Sequence, residues 1–380
     1  MAISNVTEYL YKQLDEGKFS VSIFIDLRKA FDTVQHDILL RKLECYGIRG
    51  LPLKLLSSYL ADRMQCVRIG NCLSQHKTLS VGVPQGSVLG PLLFIIYVND
   101  LPNISNRIHT TLFADDTTVC LSDENFYDLM LSCNHELEKI YNWTLCNRLT
   151  LNIEKTCYML VSTRKIPANL PMLVINDSPI ALKTEVKFLG VVLDSKLKFD
   201  SHIKYISGKV SKSVGVMYRV RDFLPKSCLF SLYYALVYSY LSYCILIWGG
   251  TFPTHLKPLL VLQKRVIRTI HHSNYRDHTH GLFMSSGILK LPDIFKLVLG
   301  CYIYERRGDN RFLRGHNHET RGRSNMLPTY HRLSVSQKSL FYAGPTLWNS
   351  IPDFAKNSRT TREFRNKFKK SLISGYYESN

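Results

Sequence analysis

The sequence predicts an α+β fold: a mostly antiparallel sheet with helices on one face. Three stretches predict it. Phe19–Ile25 alternates polar and apolar residues and then turns apolar before Asp26, the pattern of a buried strand ending in a carboxylate. Residues 109–121 read as two short runs of β-formers meeting at Asp115-Asp116, where Asp tolerates the tight backbone of a turn. Residues 124–148 place Phe126, Leu129, Leu137, Ile140 and Trp143 at helical spacing, as core packing against a sheet requires.

Taken in order, residues 1–18 are polar and helical, with Val6, Tyr9, Leu10 and Leu14 on one face and no signal peptide. A helix is expected directly after Asp26, with Phe31, Val34, Ile38, Leu39, Leu43 and Tyr46 on one face and Gly47 ending it. Gly50-Leu51-Pro52 opens a short helix through Leu60, Pro standing near the first turn where its missing N–H does no harm. Residues 64–69 and 76–81 alternate as strands around Gly70-Asn71. Pro84 and Gly86 fix a loop, Ser87 is placed to cap a helix over 88–98, and that helix is apolar nearly all round and is expected to be buried. Strands follow at 158–161, 173–175 and 180–182, the last two around Asn176-Asp177.

From about residue 200 the pattern is helical and basic. Lys204, Lys209, Lys212, Arg219, Arg221 and Lys226 interleave with Tyr205, Met217, Tyr218 and Phe223, which suits a helix laid on a nucleic acid backbone. Residues 231–249 lack charge, but five Tyr and three Ser make them a buried helix and not a membrane span. His271, His272, His278 and His280 have irregular spacing and no nearby cysteine, so they read as a polar loop and not a metal site. Residues 305–335 read as a linker or RNA-contacting loop, and a short basic helix follows from Thr361.

The composition is that of a globular chain, 45% hydrophobic and 21% charged. Its net charge of +19 is unevenly placed. Residues 1–150 hold 14 Lys+Arg against 16 Asp+Glu, and residues 151–380 hold 35 against 14. A near-neutral half carrying acids and a strongly basic half suit an enzyme that handles a polyanion. The ten cysteines show no CxxC pair and read as reduced, mostly buried thiols of an intracellular protein.

Asp26, Asp115 and Asp116 are the candidate site. Adjacent like charges cost free energy, so such a group is comfortable with a cation between them. Two Mg²⁺ ions about 4 Å apart, held by shared carboxylates, clamp the attacking and leaving oxygens of a phosphoryl displacement. The competing reading of the Asp pair is an ordinary solvated turn.

Phe24-Ile25-Asp26-Leu27-Arg28-Lys29-Ala30-Phe31-Asp32, Gly82-Val83-Pro84-Gln85-Gly86-Ser87-Val88-Leu89-Gly90-Pro91 and Phe113-Ala114-Asp115-Asp116 stand in the order and spacing of a reverse transcriptase. The chain resembles the non-LTR (LINE-type) retrotransposon enzymes of the jockey and CR1 kind. The resemblance implies a right-hand polymerase palm followed by a helical thumb. It divides the chain into a palm with a fingers remnant (1–198), a thumb-like domain (199–300) and a basic C-terminal region (301–380).

It further implies RNA-directed DNA synthesis, with Asp26, Asp115 and Asp116 on two Mg²⁺ ions (Mn²⁺ as substitute). Gln85 and Gly86 would contact the template base and the incoming dNTP. Phe31, on periodicity the first core residue of its helix, would be the gate that excludes a ribose 2′-OH. Lys155 would sit near the leaving pyrophosphate as a general acid, and Phe188, Leu189 and Gly190 would form the primer grip. The implied partners are an RNA template, a DNA primer or target and dNTPs, with no membrane. Two departures are expected: the fingers are largely missing, the chain being truncated before the palm, and no endonuclease is present. The alternative is a catalytically inactive nucleic-acid-binding remnant of such an element. Telomerase and group II intron maturases are argued against by Val83-Pro84-Gln85-Gly86 and Phe113-Ala114.

Overall fold

An amphipathic helix, α1 (Ala2–Asp15), leads into β1 (Phe19–Ile25), and every residue of β1 is buried in the computed structural model. Residues 2–309, 312 and 325–376 are described. They fall into two units, Met1–Thr184 and Glu185–Asn380.

In the first unit Val6, Leu10 and Leu14 of α1 are buried on one face, as their spacing predicts. The helix expected directly after Asp26 starts later. Lys29 takes a left-handed backbone (φ 49), a single 3-10 turn covers Ala30–Asp32, and α2 (His36–Cys45) begins only after the extended Gln35. Phe31 therefore belongs to the turn. Leu39 and Leu43 are buried while Tyr46 stays 48% exposed. After α3 (Gly50–Leu60), the expected pair of longer strands is split: β2 (Arg63–Gln65) pairs with β5 (Lys77–Leu79), and β3 (Arg68–Ile69) with β4 (Cys72–Leu73) around Gly70-Asn71.

In α4 (Leu89–Val98), Leu93, Phe94, Tyr97 and Val98 pack with Leu39 and Leu43. The full burial expected for this helix does not hold. Leu92 and Ile95 point outward, because α4 meets the rest of its unit along one stripe only.

The sheet is completed by β6 (His109–Phe113), β7 (Asp116–Asp123), β8 (Cys157–Val161) and β11 (Ala181–Leu182), with α5 (Phe126–Cys146) between β7 and β8. Strand order is β11-β8-β1-β7-β6, antiparallel throughout except for β11 against β8. A two-residue pair, β9 (Val174–Ile175) and β10 (Ser178–Pro179), turns through Asn176-Asp177 beside it. Residues 181–182, expected in that hairpin, instead extend the main sheet.

Side chains alternate across the sheet. On one face Ile23, Ile25, Val119, Leu121, Tyr158 and Leu160 pack on Leu129, Met130, Leu137 and Ile140 of α5. Asn125 starts α5 by accepting a hydrogen bond from the Tyr127 N–H at 2.9 Å. The opposite face carries Ser20, Ser22, His109 and Thr111, and α1 lies on it: Asn5 donates to Thr111 Oγ1 (3.1 Å) and Tyr9 stacks on His109 (ring centroids 4.6 Å apart).

The second unit opens with a hairpin, β12 (Glu185–Phe188) and β13 (Val191–Asp194). Asp194 then accepts from the N–H groups of Lys196, Lys198 and Phe199, which turns the chain into α6 (Asp200–Val220). Residues 231–249 do not form the single helix expected of them. They divide among α7 (Lys226–Tyr233), a π turn (Tyr234–Tyr238), α8 (Ser239–Ser242) and α9 (Ile245–Trp248), broken where Tyr243 is extended and Cys244 left-handed. Among the described residues no helix is long and apolar enough to cross a membrane.

The helix α10 (Pro253–Ile270) packs on α6, and α11 (His280–Ser286) precedes α12 (Leu291–Glu305). α13 (Leu340–Ser350), α14 (Asp353–Lys356) and α15 (Thr361–Ser374) follow. Tyr304 of α12 stacks on the buried Phe364 of α15. Much of the linker expected at 305–335 lies outside the described residues. Only Cys120, Cys133 and Cys157 of the ten free thiols are fully buried, fewer than expected.

Ile23 is fully buried at the middle of the sheet. Ile23→Ala is expected to lower unfolding free energy by about 3 kcal/mol in urea titration, through lost apolar burial and the cavity left behind. Ile95→Ser, on the exposed stripe of α4, is expected to change it by less than about 0.5 kcal/mol.

Candidate active site

Asp26 follows the last residue of β1, and its backbone is fixed on both sides. Its N–H donates to Thr156 Oγ1 (3.3 Å) and its carbonyl accepts from the Asn152 N–H (2.8 Å). The side chain is held too: Asn152 Nδ2 donates to Asp26 Oδ2 at 2.8 Å. Nothing in the sequence singles out Asn152, whose partner Asp26 lies 126 residues away.

Asp115 and Asp116 stand where the sequence puts them, at the turn between β6 and β7, with Ala114 left-handed (φ 52). The last paired residues are Ile25 with Thr117 on one side of β7 and Phe113 with Asp116 on the other. Continuing the register by one residue sets Asp26 opposite Asp116. Directly opposed Cβ atoms lie about 5 Å apart on one sheet face. The electrostatics agree: the Asp116 carboxyl is raised above the ordinary carboxylate value, first by desolvation, then by the charges of Asp115 and Asp26. Asp116 is therefore within electrostatic reach of both Asp115 and Asp26, which come from distant parts of the chain.

Phe31 is half-buried, its ring 4.6 Å from that of Phe94. The loop after β5 carries Gln85, whose Nε2 donates to Asp32 Oδ1 at 2.8 Å. Gly82 makes this loop possible. Its φ is +87, and a Cβ there would lie 2.8 Å from the Asp32 carbonyl oxygen. The Gly82 carbonyl is engaged by His36 Nε2 at 2.7 Å. Gly86 takes φ +77 with open space around it. A cavity of about 690 Å³ lies beside the loop, lined by Lys29, Asp32, His36, Arg63 and Gln85 among others. The three clustered acids, Phe31 and Gly86 are not part of its lining.

Lys155 is exposed in the 152–156 turn that grips Asp26. Phe188, Leu189 and Gly190 form the tight turn of the β12–β13 hairpin in the second unit. Phe188 is buried, Leu189 (φ 46) and Gly190 (φ 82) are left-handed, and the Leu189 carbonyl accepts from the Tyr243 hydroxyl at 2.8 Å.

Carboxylate oxygens are the donors Mg²⁺ and Mn²⁺ prefer. The repulsion from Asp115 and Asp26, which adds to desolvation in raising Asp116, is what a divalent cation would relieve. Among the described residues no three His, Cys, Asp or Glu side chains close into a ligand cage. Mg²⁺ does not require one, since it takes one or two carboxylates and completes its shell with water and substrate phosphates. The donor set fits such an ion.

Residues 4–193 match the profile of the family described as "Reverse transcriptase (RNA-dependent DNA polymerase)", and the chain belongs to that family. It is similar to the RNA-directed DNA polymerase from mobile element jockey of Drosophila funebris, 27% identical over 79% of this chain and 34% of that protein. The jockey polymerase of Drosophila melanogaster is 26% identical over the same shares. This chain spans about a third of the length of these curated relatives. Among solved structures it is similar to telomerase from Candida albicans in complex with a telomeric RNA fragment, with a TM-score of 0.41 and 14% identity, covering 74% of this chain and 54% of that one.

Two outcomes are expected. Gly82→Ala meets both a left-handed backbone and the Asp32 carbonyl, and is expected to cost about 2 kcal/mol in chemical denaturation. Asp116→Asn is expected to raise the Tm by about 1 to 2 °C at neutral pH in chelator, as befits a surface charge effect near 0.5 kcal/mol. A raised carboxyl favours the folded state below its ordinary value near 3.8, and that contribution is lost as pH rises through the higher folded value. The gain in Asp116→Asn should therefore vanish below about pH 4 in pH-dependent melts.

Proposed function

We propose that this chain is the polymerising core of a non-LTR retrotransposon reverse transcriptase, extending a DNA primer on an RNA template. The meeting of Asp26 with Asp115 and Asp116 at adjoining strand ends, inside the stretch matched by the family, carries the reading. Residues 1–198 act as the palm, 199–300 as the thumb and 301–380 as a basic extension.

Asp26 and Asp115 would hold two Mg²⁺ ions, for which Mn²⁺ would substitute, with Asp116 in support. When bound, the ions supply activation of the primer 3′-OH and charge stabilisation at the α-phosphate and pyrophosphate. Asn152 and Thr156 keep Asp26 from turning away, so little reorganisation remains for the reacting state. Lys155, on the same turn, delivers a proton to the leaving pyrophosphate. Gln85 and Gly86 lie against the template base and the incoming dNTP, Asp32 orienting the Gln85 amide. The Phe31 ring, braced by Phe94, excludes a ribose 2′-OH. The Phe188-Leu189-Gly190 turn steers the primer end.

Primer extension with an RNA template, dNTPs and Mg²⁺ tests this. The wild-type chain should extend, and extension should stop on chelation. Asp26→Asn and Asp115→Asn should each lose about 10³-fold in rate, some 4 kcal/mol of transition-state stabilisation. Phe31→Ala should extend with NTPs that the wild type rejects. Extension by Asp115→Asn at the wild-type rate would overturn the assignment.

A further inference from the structure

The second unit holds a cavity of about 610 Å³, within the range of small-ligand clefts, between α6, α10 and the loop that follows α10. Its lining includes Arg221, Arg265, Arg268 and His272 and no carboxylate. Two tyrosines complete it, and both keep their rings in the open: Tyr218 is 55% and Tyr275 68% exposed. Each ring lies next to a guanidinium. Arg221 is 4.3 Å from the Tyr218 ring centroid, and Arg265 and Arg268 are 5.5 and 6.0 Å from that of Tyr275.

The wall is built and not incidental. His272 is left-handed (φ 51), which turns the chain sharply off α10. The Ser273 N–H donates to the Arg268 carbonyl at 3.0 Å. Arg268 Nε donates to the Asp277 carbonyl (2.9 Å), and the Asp277 carboxylate accepts from the Asn274 N–H (2.7 Å). His271 ties the root of the loop to Ser286 and Lys226. These bonds hold Tyr275 over the face of α10 that carries Arg265 and Arg268. Asp222 partly offsets the charge at the rim, pairing with Arg221 and His272 at 3.4 Å. Arg265 has no carboxylate in the cavity lining.

Guanidinium forks match phosphate oxygens, and exposed tyrosine rings stack on bases that are free of a duplex. We propose that this cavity is a binding site for an unpaired nucleotide of single-stranded nucleic acid. Its phosphate lies on Arg265 and Arg268, and its base lies against Tyr275. The inference rests on the polynucleotide substrate of the preceding reading but on none of its catalytic residues. It gives the second unit a grip on single-stranded RNA at a place that paired strands, with their bases stacked inside, cannot use.

The test is fluorescence anisotropy of a labelled oligouridylate 12-mer with the full chain in EDTA, repeated in the Asp115→Asn background. Tyr275→Ala should weaken binding about ten-fold, and Tyr275→Trp should keep it, since any aromatic face stacks. Arg265→Gln should weaken it similarly and reduce the slope of log affinity against log salt by about one, the signature of one lost phosphate contact. Both positions are tested with matched thermal melts, so a folding defect is separated from a lost contact. Wild-type affinity in Tyr275→Ala and Arg265→Gln would overturn the proposal. So would equal weakening by Tyr275→Trp, or an equal loss on blunt duplex RNA. Primer extension separates the two readings. If Tyr275→Ala weakens binding while no variant extends a primer, the site stands and the polymerase assignment falls. If extension proceeds and both variants bind normally, the reverse holds.

Discussion

The placement of the acids depends on one strand being buried on both faces. β1 has apolar contacts with α5 on one side and faces α1 on the other, while its polar residues are satisfied within the sheet. Ser20 shares a hydrogen bond with Ser122 at 2.8 Å and Ser22 with Cys120 Sγ at 3.3 Å. A slip of one residue would drive those hydroxyls into the α5 core and turn Ile23 and Ile25 away from it, towards the face that α1 covers, so the register is strongly specified. Asp26 inherits that certainty. Its distance to the β6–β7 turn is set by the pairing of seven residues behind it.

Electrostatics pulls the other way. Three carboxylates at one point raise the free energy of the folded chain, and the groups that hold Asp26, Asn152 and Thr156, are neutral. They fix its orientation without cancelling its charge. The site is thus stiff and underneutralised, an arrangement that costs stability. The second unit shows the complementary arrangement, with arginines left beside open rings.

Much of the first unit was legible where periodicity and function coincide. The strand before Asp26, the hairpin around Asp115-Asp116 and the helix over 126–146 each carry an unambiguous period, and burial followed. The misses share a cause. The apolar spacing after Asp26 fits a helix from Phe31, but the left-handed Lys29 and the 3-10 turn delay it, and nothing in Arg28-Lys29-Ala30 announces that backbone. Leu92 and Ile95 look like core because composition cannot reveal that α4 has a neighbour on one stripe only. The uncharged run over 231–249 reads as one helix, while Tyr243 and Cys244 break it to bring Trp248 Nε1 to the Tyr243 carbonyl. Asn152 and the Asp32–Gln85 bond were invisible for another reason: both are tertiary contacts between segments more than 50 residues apart.

The wide separation of the strands that flank β1 has a consequence during synthesis. Residues 19–25 find their partners at 117–123 and 157–161, so the rungs to β7 need about 100 further residues to be made and those to β8 about 140. At translation speeds of about 5 to 20 residues per second that is a wait of about 5 to 30 s, with a hydrophobic ribbon lacking its native cover. Loop closure over such spans is also slow in its own right. The corner that gathers Asp26 and Asp116 therefore takes shape only after the sheet behind it has closed.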